Sequence, residues 1–500
     1  MCHKPSRGEE RNYKRLRLYK FLLQFIFFFS DTIKMKIFFL NPPHELPIMR
    51  RYMCSYYSPE YMLPPYDLLS LATCVREWNQ VNVKVLDAIA ERADLHTVIE
   101  RIDTYEPDLI VVLMGIKVFG DDLDCVSKIK EHFHKIPLAV FGYYPTGFPD
   151  ELLKKTAIDL VLRREPELPL SQYLEAIKNG TPVDTIPGLA GRRSDGSLFN
   201  NPEERIENTD DLPFPDPSLV DISHYEEAFL GGPCAAILSI RGCPFSCNYC
   251  TTTYGRFVSY RSPESVVAEI HYLKEKGIKI VRFLDDIFTC DKSRVISICK
   301  LLIKKNLDIP WTCLSRIDTI DAEMLDWMFK AGCKRIMIGI ESYSQNVLNK
   351  LNKGISPEII NPQLKLIQHS GIETLAFFMV GAPFETEDDF KITIKGALDS
   401  PLDFITVNTL EPFATTPYFE QISEDIDFSL IPFRCAYKNL DIYHIANKRR
   451  QRLYRYFYLR PRVLFTHLVT FIKNPRRTLK LLATFLLSSK PKLPATPAAK

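Results

Sequence analysis

Three cysteines, Cys243, Cys247 and Cys250, fall within Arg-Gly-Cys-Pro-Phe-Ser-Cys-Asn-Tyr-Cys, a C-x3-C-x2-C loop that brings three thiolates to one point. A [4Fe-4S] cluster is normally held by four cysteine thiolates, so three leave one iron open to coordinate and reduce something else. A structural zinc site would need a fourth Cys or His at regular spacing, and from Asn248 to Tyr272 there is only His271, at the end of an expected helix. A disulfide loop would need paired spacing, whereas Cys2, Cys54, Cys74, Cys125, Cys234, Cys290, Cys299, Cys313, Cys333 and Cys435 are scattered singly. They form no second C-x2-C, so a second cluster is not expected and most of them read as small core residues.

The spacing, with the aromatic Tyr249 just before the last cysteine, resembles the radical S-adenosylmethionine (SAM) superfamily. In that family the open iron binds the amino and carboxylate groups of SAM and delivers the electron that cleaves it to a 5'-deoxyadenosyl radical. The resemblance implies a [4Fe-4S] cluster, SAM, a small-molecule substrate and an electron donor such as flavodoxin or ferredoxin. Further positions at expected strand ends resemble the family's SAM contacts. Asp285 and Asp286, in Phe283-Leu-Asp-Asp-Ile-Phe288, resemble the motif that touches the SAM amino group or ribose; the alternative for Asp286 is a helix cap. Arg316 resembles the residue that pairs with the SAM carboxylate, which a planar guanidinium with two parallel donors suits; the alternative is a surface ion pair. Glu341, in Gly339-Ile-Glu-Ser342, resembles the SAM-binding acid, and an acid on a buried strand needs a ligand or a charged neighbour. Gly381, in Met379-Val-Gly-Ala-Pro383, resembles the stretch that approaches the adenine, with a plain loop glycine as the alternative. Tyr249 packs beside the adenine or is simply core.

The elements that must position these groups are legible as an α/β pattern. Residues 35–178 alternate short apolar runs at 37–40, 83–86, 109–113, 138–141 and 160–162 with helical stretches such as 67–78 and 121–134. This predicts a Rossmann-like doubly wound parallel sheet, with ligands at the carboxyl ends of its strands. Pro64-Pro-Tyr-Asp-Leu-Leu, Val85-Leu-Asp-Ala, Pro107-Asp-Leu-Ile-Val-Val and Pro149-Asp-Glu-Leu-Leu resemble, in order, the cobalamin-binding domain that precedes many radical SAM enzymes. Cobalamin is the cofactor this implies. The family's histidine motif is replaced by Asp87-Ala-Ile-Ala-Glu-Arg92, its Gly-Gly by Phe141-Gly142, and its Gly-Glu-Gly-Glu turn by Arg163-Arg164-Glu165-Pro166-Glu167. Side chains there would intrude on a bulky ligand, so the alternative is a retained scaffold without a corrin. Residues 179–233 are rich in turns and prolines and read as a stiff linker lying across two domains. Residues 234–425 then carry six strand and helix units, with strands expected at 235–240, 279–284, 311–314, 335–340, 374–380 and 404–407. These resemble the partial (β/α)6 barrel of radical SAM enzymes, whose sites lie at the carboxyl ends of the strands.

The two termini differ from the rest. Residues 1–34 read as a leader that precedes the real start at Met35, because the apolar run at 21–29 is too short to span a bilayer; the protein is then expected to be cytoplasmic. Residues 426–500 are expected to form a basic helical region: 442–500 hold 14 Lys or Arg and no Asp or Glu in a chain of net charge only +3. That charge suits peripheral contact with an anionic membrane and a hydrophobic substrate, or a helical cap over the barrel; nucleic acid is disfavoured because no RNA-binding module accompanies it. The expected function is a radical SAM enzyme acting as a cobalamin-dependent methyltransferase on an unactivated carbon. The alternatives are a radical SAM cyclase or oxidase in tetrapyrrole, lipid or natural-product synthesis, and a non-enzymatic corrin or cluster sensor.

Overall fold

The computed structural model describes residues 34–464 apart from 52–53, 58–62, 228–229, 253 and 427–436. The leader reading of 1–34 and the apolar stretches beyond 464 therefore lie almost wholly outside the described residues. The first sheet is built from β1 (Lys36–Asn41), β4 (Asn82–Asp87), β5 (Leu109–Met114), β6 (Leu138–Gly142) and β7 (Leu160–Leu162), all parallel in the order β4-β1-β5-β6-β7. Leu-Ile-Val-Val-Leu-Met of β5 is buried along its whole length, as a strand covered by helices on both faces must be. After β1 the chain steps out to β4 and back to β5, so the strand order reverses beside β1 and opens a crevice there. A hairpin of β2 (Ile48–Arg51) and β3 (Cys54–Tyr57) follows β1.

The proline-rich stretch has more structure than a linker. Its first part adds β8 (Leu189–Arg192) and β9 (Leu198–Asn200) to the sheet as antiparallel strands beyond β7. Such short apolar runs between turns give little periodic signal, which is why they read as loop. Its second part makes contacts to both units. Asp216 accepts hydrogen bonds from Arg76 (2.9 Å), on the helix Tyr66–Asn79 of the first sheet, and from the Tyr272 hydroxyl (3.1 Å), on the helix Pro263–Glu275 of the second unit.

The second unit is a six-stranded, all-parallel sheet in simple sequence order: β10 (Cys234–Ile237), β13 (Ile280–Phe283), β14 (Trp311–Ser315), β15 (Cys333–Glu341), β16 (Glu373–Val380) and β17 (Phe404–Thr409). Between β10 and β13 lie the short antiparallel strands β11 (Ile240–Arg241) and β12 (Ser259–Tyr260), which bracket the cysteine loop. The barrel is open, and its last strand would present unpaired backbone. The basic helix Asp441–Tyr458 covers that edge: the Tyr454 hydroxyl accepts from Val407 N (2.9 Å), and the Tyr458 hydroxyl accepts from Ile405 N (3.3 Å) and donates to Ile405 O (3.1 Å). Just beyond it, Arg460 donates to the carbonyls of Ala397, Leu398, Ser400 and Leu402. This helix is thus a cap on the barrel edge, with Lys448, Arg455, Tyr456 and Leu459 left exposed. Among the described residues no helix is long and apolar enough to cross a membrane.

Burial alone would raise the Asp216 carboxyl, but hydrogen bonds from Ser218, Arg76 and Tyr272 hold it down to about 2. A depressed carboxylate stabilises the fold above its unfolded value and loses that contribution as pH falls through the folded one. Asp216→Asn is expected to cost about 1–2 kcal/mol at neutral pH, in line with partly screened hydrogen bonds to a charge. In urea denaturation the gap to the unaltered protein should narrow as pH is lowered from about 4 towards about 2.

Candidate functional site

Cys243 follows β11, the extension of β10, so the loop hangs from the carboxyl end of the first barrel strand. Gly242 makes this entry possible. Its φ is +94°, and a Cβ there would lie 1.9 Å from Phe257 O, so no side chain fits between the start of the loop and its return. The loop is held from all sides: Cys243 N donates to Gly255 O (3.1 Å), Asn248 N to Leu351 O (3.1 Å), Asn248 Nδ2 to Lys350 O (2.8 Å), and Asn352 Nδ2 to Ser246 O (2.7 Å).

One anchor comes from the other sheet. Arg241, buried directly before Gly242, donates to Glu165 Oε1 (2.9 Å) and Glu167 Oε1 (2.7 Å) and lies over the Tyr254 ring at 4.6 Å. Both glutamates sit in the turn after β7, in the Arg163-Arg164-Glu165-Pro166-Glu167 run that departs from the glycine-rich family pattern. The turn is therefore a clamp on the cysteine loop.

Cys243 and Cys247 are buried and Cys250 is half-buried. Burial pushes the Cys243 thiol up to about 11, with Asp286 and Cys247 adding to it, and pushes Cys250 higher, with Asp286 and the other two cysteines adding to it. Cys243 and Cys250, with Cys247 close enough to oppose the ionisation of both, form with it a donor set for iron. Among the described residues no three His, Cys, Asp or Glu converge tightly enough to hold a single metal ion.

The other expected residues separate into two groups. Arg316 Nη1 lies 3.6 Å from Cys247 Sγ, its guanidinium stacks on Phe245 at 3.9 Å, and its remaining donors reach Asp318 (2.9 Å, twice) and Lys353 O (2.8 Å). It is buried beside the loop and is no surface ion pair. Glu341 is buried at a left-handed φ of +67°, at a register shift in β15, and its charged neighbour is Lys353 (Nζ to Oε1, 2.9 Å). Such a backbone costs about 1–3 kcal/mol and is characteristic of functional sites. A Cβ on Gly339 would lie 2.5 Å from Glu341 Oε1 and 2.8 Å from Lys353 Nζ, so the pair folds over the glycine. The Tyr249 hydroxyl stands 3.4 Å from Lys353 Nζ, and burial, then Glu341, raises its pKa well above the ordinary value.

Asp285 and Gly381 are occupied otherwise. Asp285 is fully buried and accepts from Ser239 N, Ser239 Oγ and Ile240 N, tying β13 to the chain that delivers the cysteines; burial raises its carboxyl. Asp286 is exposed and close enough to raise the Cys243 and Cys250 thiols, while the cap of the next helix is Asp291, so the cap explanation for Asp286 does not hold. At Gly381 (φ +79°) a Cβ would meet Ala446 Cβ at 2.1 Å, and its N–H donates to Glu385 Oε2 (2.7 Å). The room at that glycine is taken by the C-terminal helix, which Arg449 anchors to Glu385 (2.7 Å). Sequence reasoning missed Lys353 and Arg241; Arg241 stood in plain view before Gly-Cys, while nothing marks Lys353.

Residues 237–396 match the family model described as the radical SAM superfamily. Over 443 residues the chain is 30% identical to an uncharacterized methyltransferase of Pyrococcus horikoshii, covering 86% of this chain and 94% of that protein. The chain belongs to the radical SAM superfamily. It is also 26% identical to the anaerobic magnesium-protoporphyrin IX monomethyl ester cyclase of Synechocystis sp., over 81% of each chain. The solved structure of the cobalamin-dependent radical enzyme OxsB, with aqua-cobalamin and SAM bound, superposes with a TM-score of 0.71 at 16% identity, covering 92% of this chain and 71% of that one. At that identity the likeness establishes the fold.

As in a radical SAM enzyme with a Rossmann-like domain, the carboxyl end of the first sheet faces the barrel: Lys117 meets Glu411 (3.4 Å), and the Tyr143 hydroxyl bonds Ala414 O and Thr415 Oγ1 (2.8 Å). A corrin between the two sheets would have to displace the buried rings of Tyr143 and Tyr144 at this point.

Arg241→Met leaves two carboxylates buried without their cation. The expected loss is about 3–5 kcal/mol of stability by chemical denaturation, more than for the Arg241→Met/Glu165→Gln/Glu167→Gln triple variant.

Proposed function

We propose that this radical SAM enzyme transfers a methyl group to an unactivated carbon of a small-molecule substrate, with cobalamin between the two sheets. The observation that carries this reading is the cysteine loop of the barrel held by the turn after β7 of the first sheet, through Arg241, Glu165 and Glu167. Such a clamp fixes whatever sits on one sheet relative to whatever sits on the other.

When bound through Cys243, Cys247 and Cys250, the cluster supplies the electron that cleaves SAM reductively; cobalamin, when bound, supplies a methyl carrier. The residues position and shield. Arg316, Glu341 and Tyr249 stand around the cysteine loop as binders of the SAM carboxylate, polar and adenine parts respectively, with Asp286 the exposed member of its acidic pair on the thiol side. Lys353 holds the Glu341 carboxylate against a strained backbone, so that a polar ligand meets a fixed oxygen and not a mobile side chain. The aromatic Phe245 and Tyr249 line this surface and limit water. Gly381 supports the site through the C-terminal helix that packs on it. The exposed basic and apolar side chains of that helix support peripheral contact with an anionic membrane.

Ring closure is the second reading, supported by the similarity to the protoporphyrin ester cyclase. Anaerobic turnover with SAM, reductant and cobalamin, read by mass spectrometry, separates the two. Methyl transfer yields S-adenosylhomocysteine together with 5'-deoxyadenosine and a substrate heavier by one methylene. Cyclisation yields no S-adenosylhomocysteine. Gly339→Ala, which drives a methyl group into the Glu341–Lys353 pair, is expected to weaken SAM binding by about tenfold or more, measured by equilibrium binding.

A further inference from the structure

We propose that the outer face of the cysteine loop is the docking surface for an acidic protein that carries single electrons, of the flavin or iron–sulfur class. The proposal rests on the radical SAM reading above. Pro244 and Ser246 are exposed, so the loop itself reaches the surface. Three guanidinium groups converge on its backbone. Arg256, exposed, donates to Phe245 O and to Cys247 O (3.0 Å). Arg205 and Arg164 come together over Gly255, whose ideal Cβ position lies 2.9 Å from Arg205 Nη2 and 3.4 Å from Arg164 Nη1, and whose carbonyl accepts from Cys243 N. Glu203 pairs with both Arg163 and Arg164, which adds a further cation to the group. On the other side of the loop Lys350 is exposed while its carbonyl holds Asn248. Even with the exposed Glu204, Glu207 and Asp286 counted beside Glu203, five cations stand against four acids around the loop.

Like charges gathered this closely repel unless an anionic surface meets them. Beside them Phe257 is 67% exposed, more than any other large apolar side chain among the described residues, with Arg205 lying over its ring at 5.3 Å. An exposed aromatic with an arginine over its ring has the composition of a protein-binding hot spot. Its place selects the partner: the Phe257 carbonyl abuts Gly242, one residue from Cys243. A protein seated here touches the ligand loop of the cluster, which is what electron transfer requires and what a substrate-sized anion would not. In the step, the docked carrier passes from its reduced to its oxidised form and the cluster takes up that one electron; no bond is made or broken at this face.

The test compares two reductants on the full chain with its cluster reconstituted. Arg205→Glu/Phe257→Ser/Lys350→Glu alters side chains on this face and leaves the cysteines and SAM-facing residues intact. With reduced flavodoxin, SAM cleavage by the variant should fall about tenfold or more, and the unaltered protein's rate should drop as salt rises. With dithionite, a small chemical reductant, both proteins should cleave SAM at the same rate. Equal loss with both reductants would place these residues in cluster or ligand binding and overturn the proposal, as would an undiminished flavodoxin rate. If the unaltered protein with a full cluster cleaves no SAM with dithionite, the radical SAM reading itself fails, and the docking surface with it.

Discussion

Three thiols must act together as thiolates, yet at two of them burial and neighbouring negative groups favour the neutral form, with Cys243 pushed up to about 11 and Cys250 higher. A cluster reverses that balance, because iron binds the deprotonated sulfur and releases the protons. Until then the loop cannot draw its shape from the metal, so its shape comes from its neighbours. Gly242 admits the chain, Asp285 grips Ser239 and Ile240 just upstream, Asn248 and Asn352 tie the middle to the stretch 350–352, and Arg256 closes the far side. Every polar group that makes these bonds leaves the thiols themselves unengaged by the clamp.

The same need explains why the two sheets behave as one body. Arg241 is buried, and a buried guanidinium is tolerable only with well-placed acceptors. Its acceptors, Glu165 and Glu167, belong to the other sheet. Asp216 in the proline-rich stretch repeats the theme on the opposite side, bonding Arg76 and Tyr272 across the same division. The C-terminal helix acts at the third boundary, covering β17 with Tyr454 and Tyr458 and filling the space beside Gly381 with Ala446. Left-handed backbone occurs at several non-glycine residues, among them Arg164 and Asn352, and at Glu341 it sets the carboxylate against Lys353.

Much of the fold could be read from the sequence because parallel strands buried on both faces are continuous apolar runs, as in Leu109–Met114, and because helices such as Ala322–Lys330 and Pro357–Ser370 carry clear periodicity and caps. β8 and β9 were not legible, since short antiparallel edge strands among prolines and glycines resemble loop until their partner β7 is known. The cysteines were legible because their spacing is local. Glu341 was legible as an acid in need of a partner, but Lys353 as that partner was not, because the pairing depends on a bulge in β15 and a left-handed residue that no periodicity announces. The Glu165 and Glu167 clamp was hidden for a similar reason: a departure from a glycine-rich pattern looks like lost function until Arg241 is seen between the two carboxylates.

The proposed chemistry depends on an iron with a vacancy, presented by the three sulfurs of Cys243, Cys247 and Cys250. Electron paramagnetic resonance of the anaerobically reconstituted and reduced protein, recorded before and after SAM is added, reads that vacancy directly. A reduced [4Fe-4S] signal whose g-values shift when SAM binds is the expected result, since a new ligand at one iron redistributes the spin. A cluster signal indifferent to saturating SAM, or a protein that takes up zinc and no iron, would contradict it.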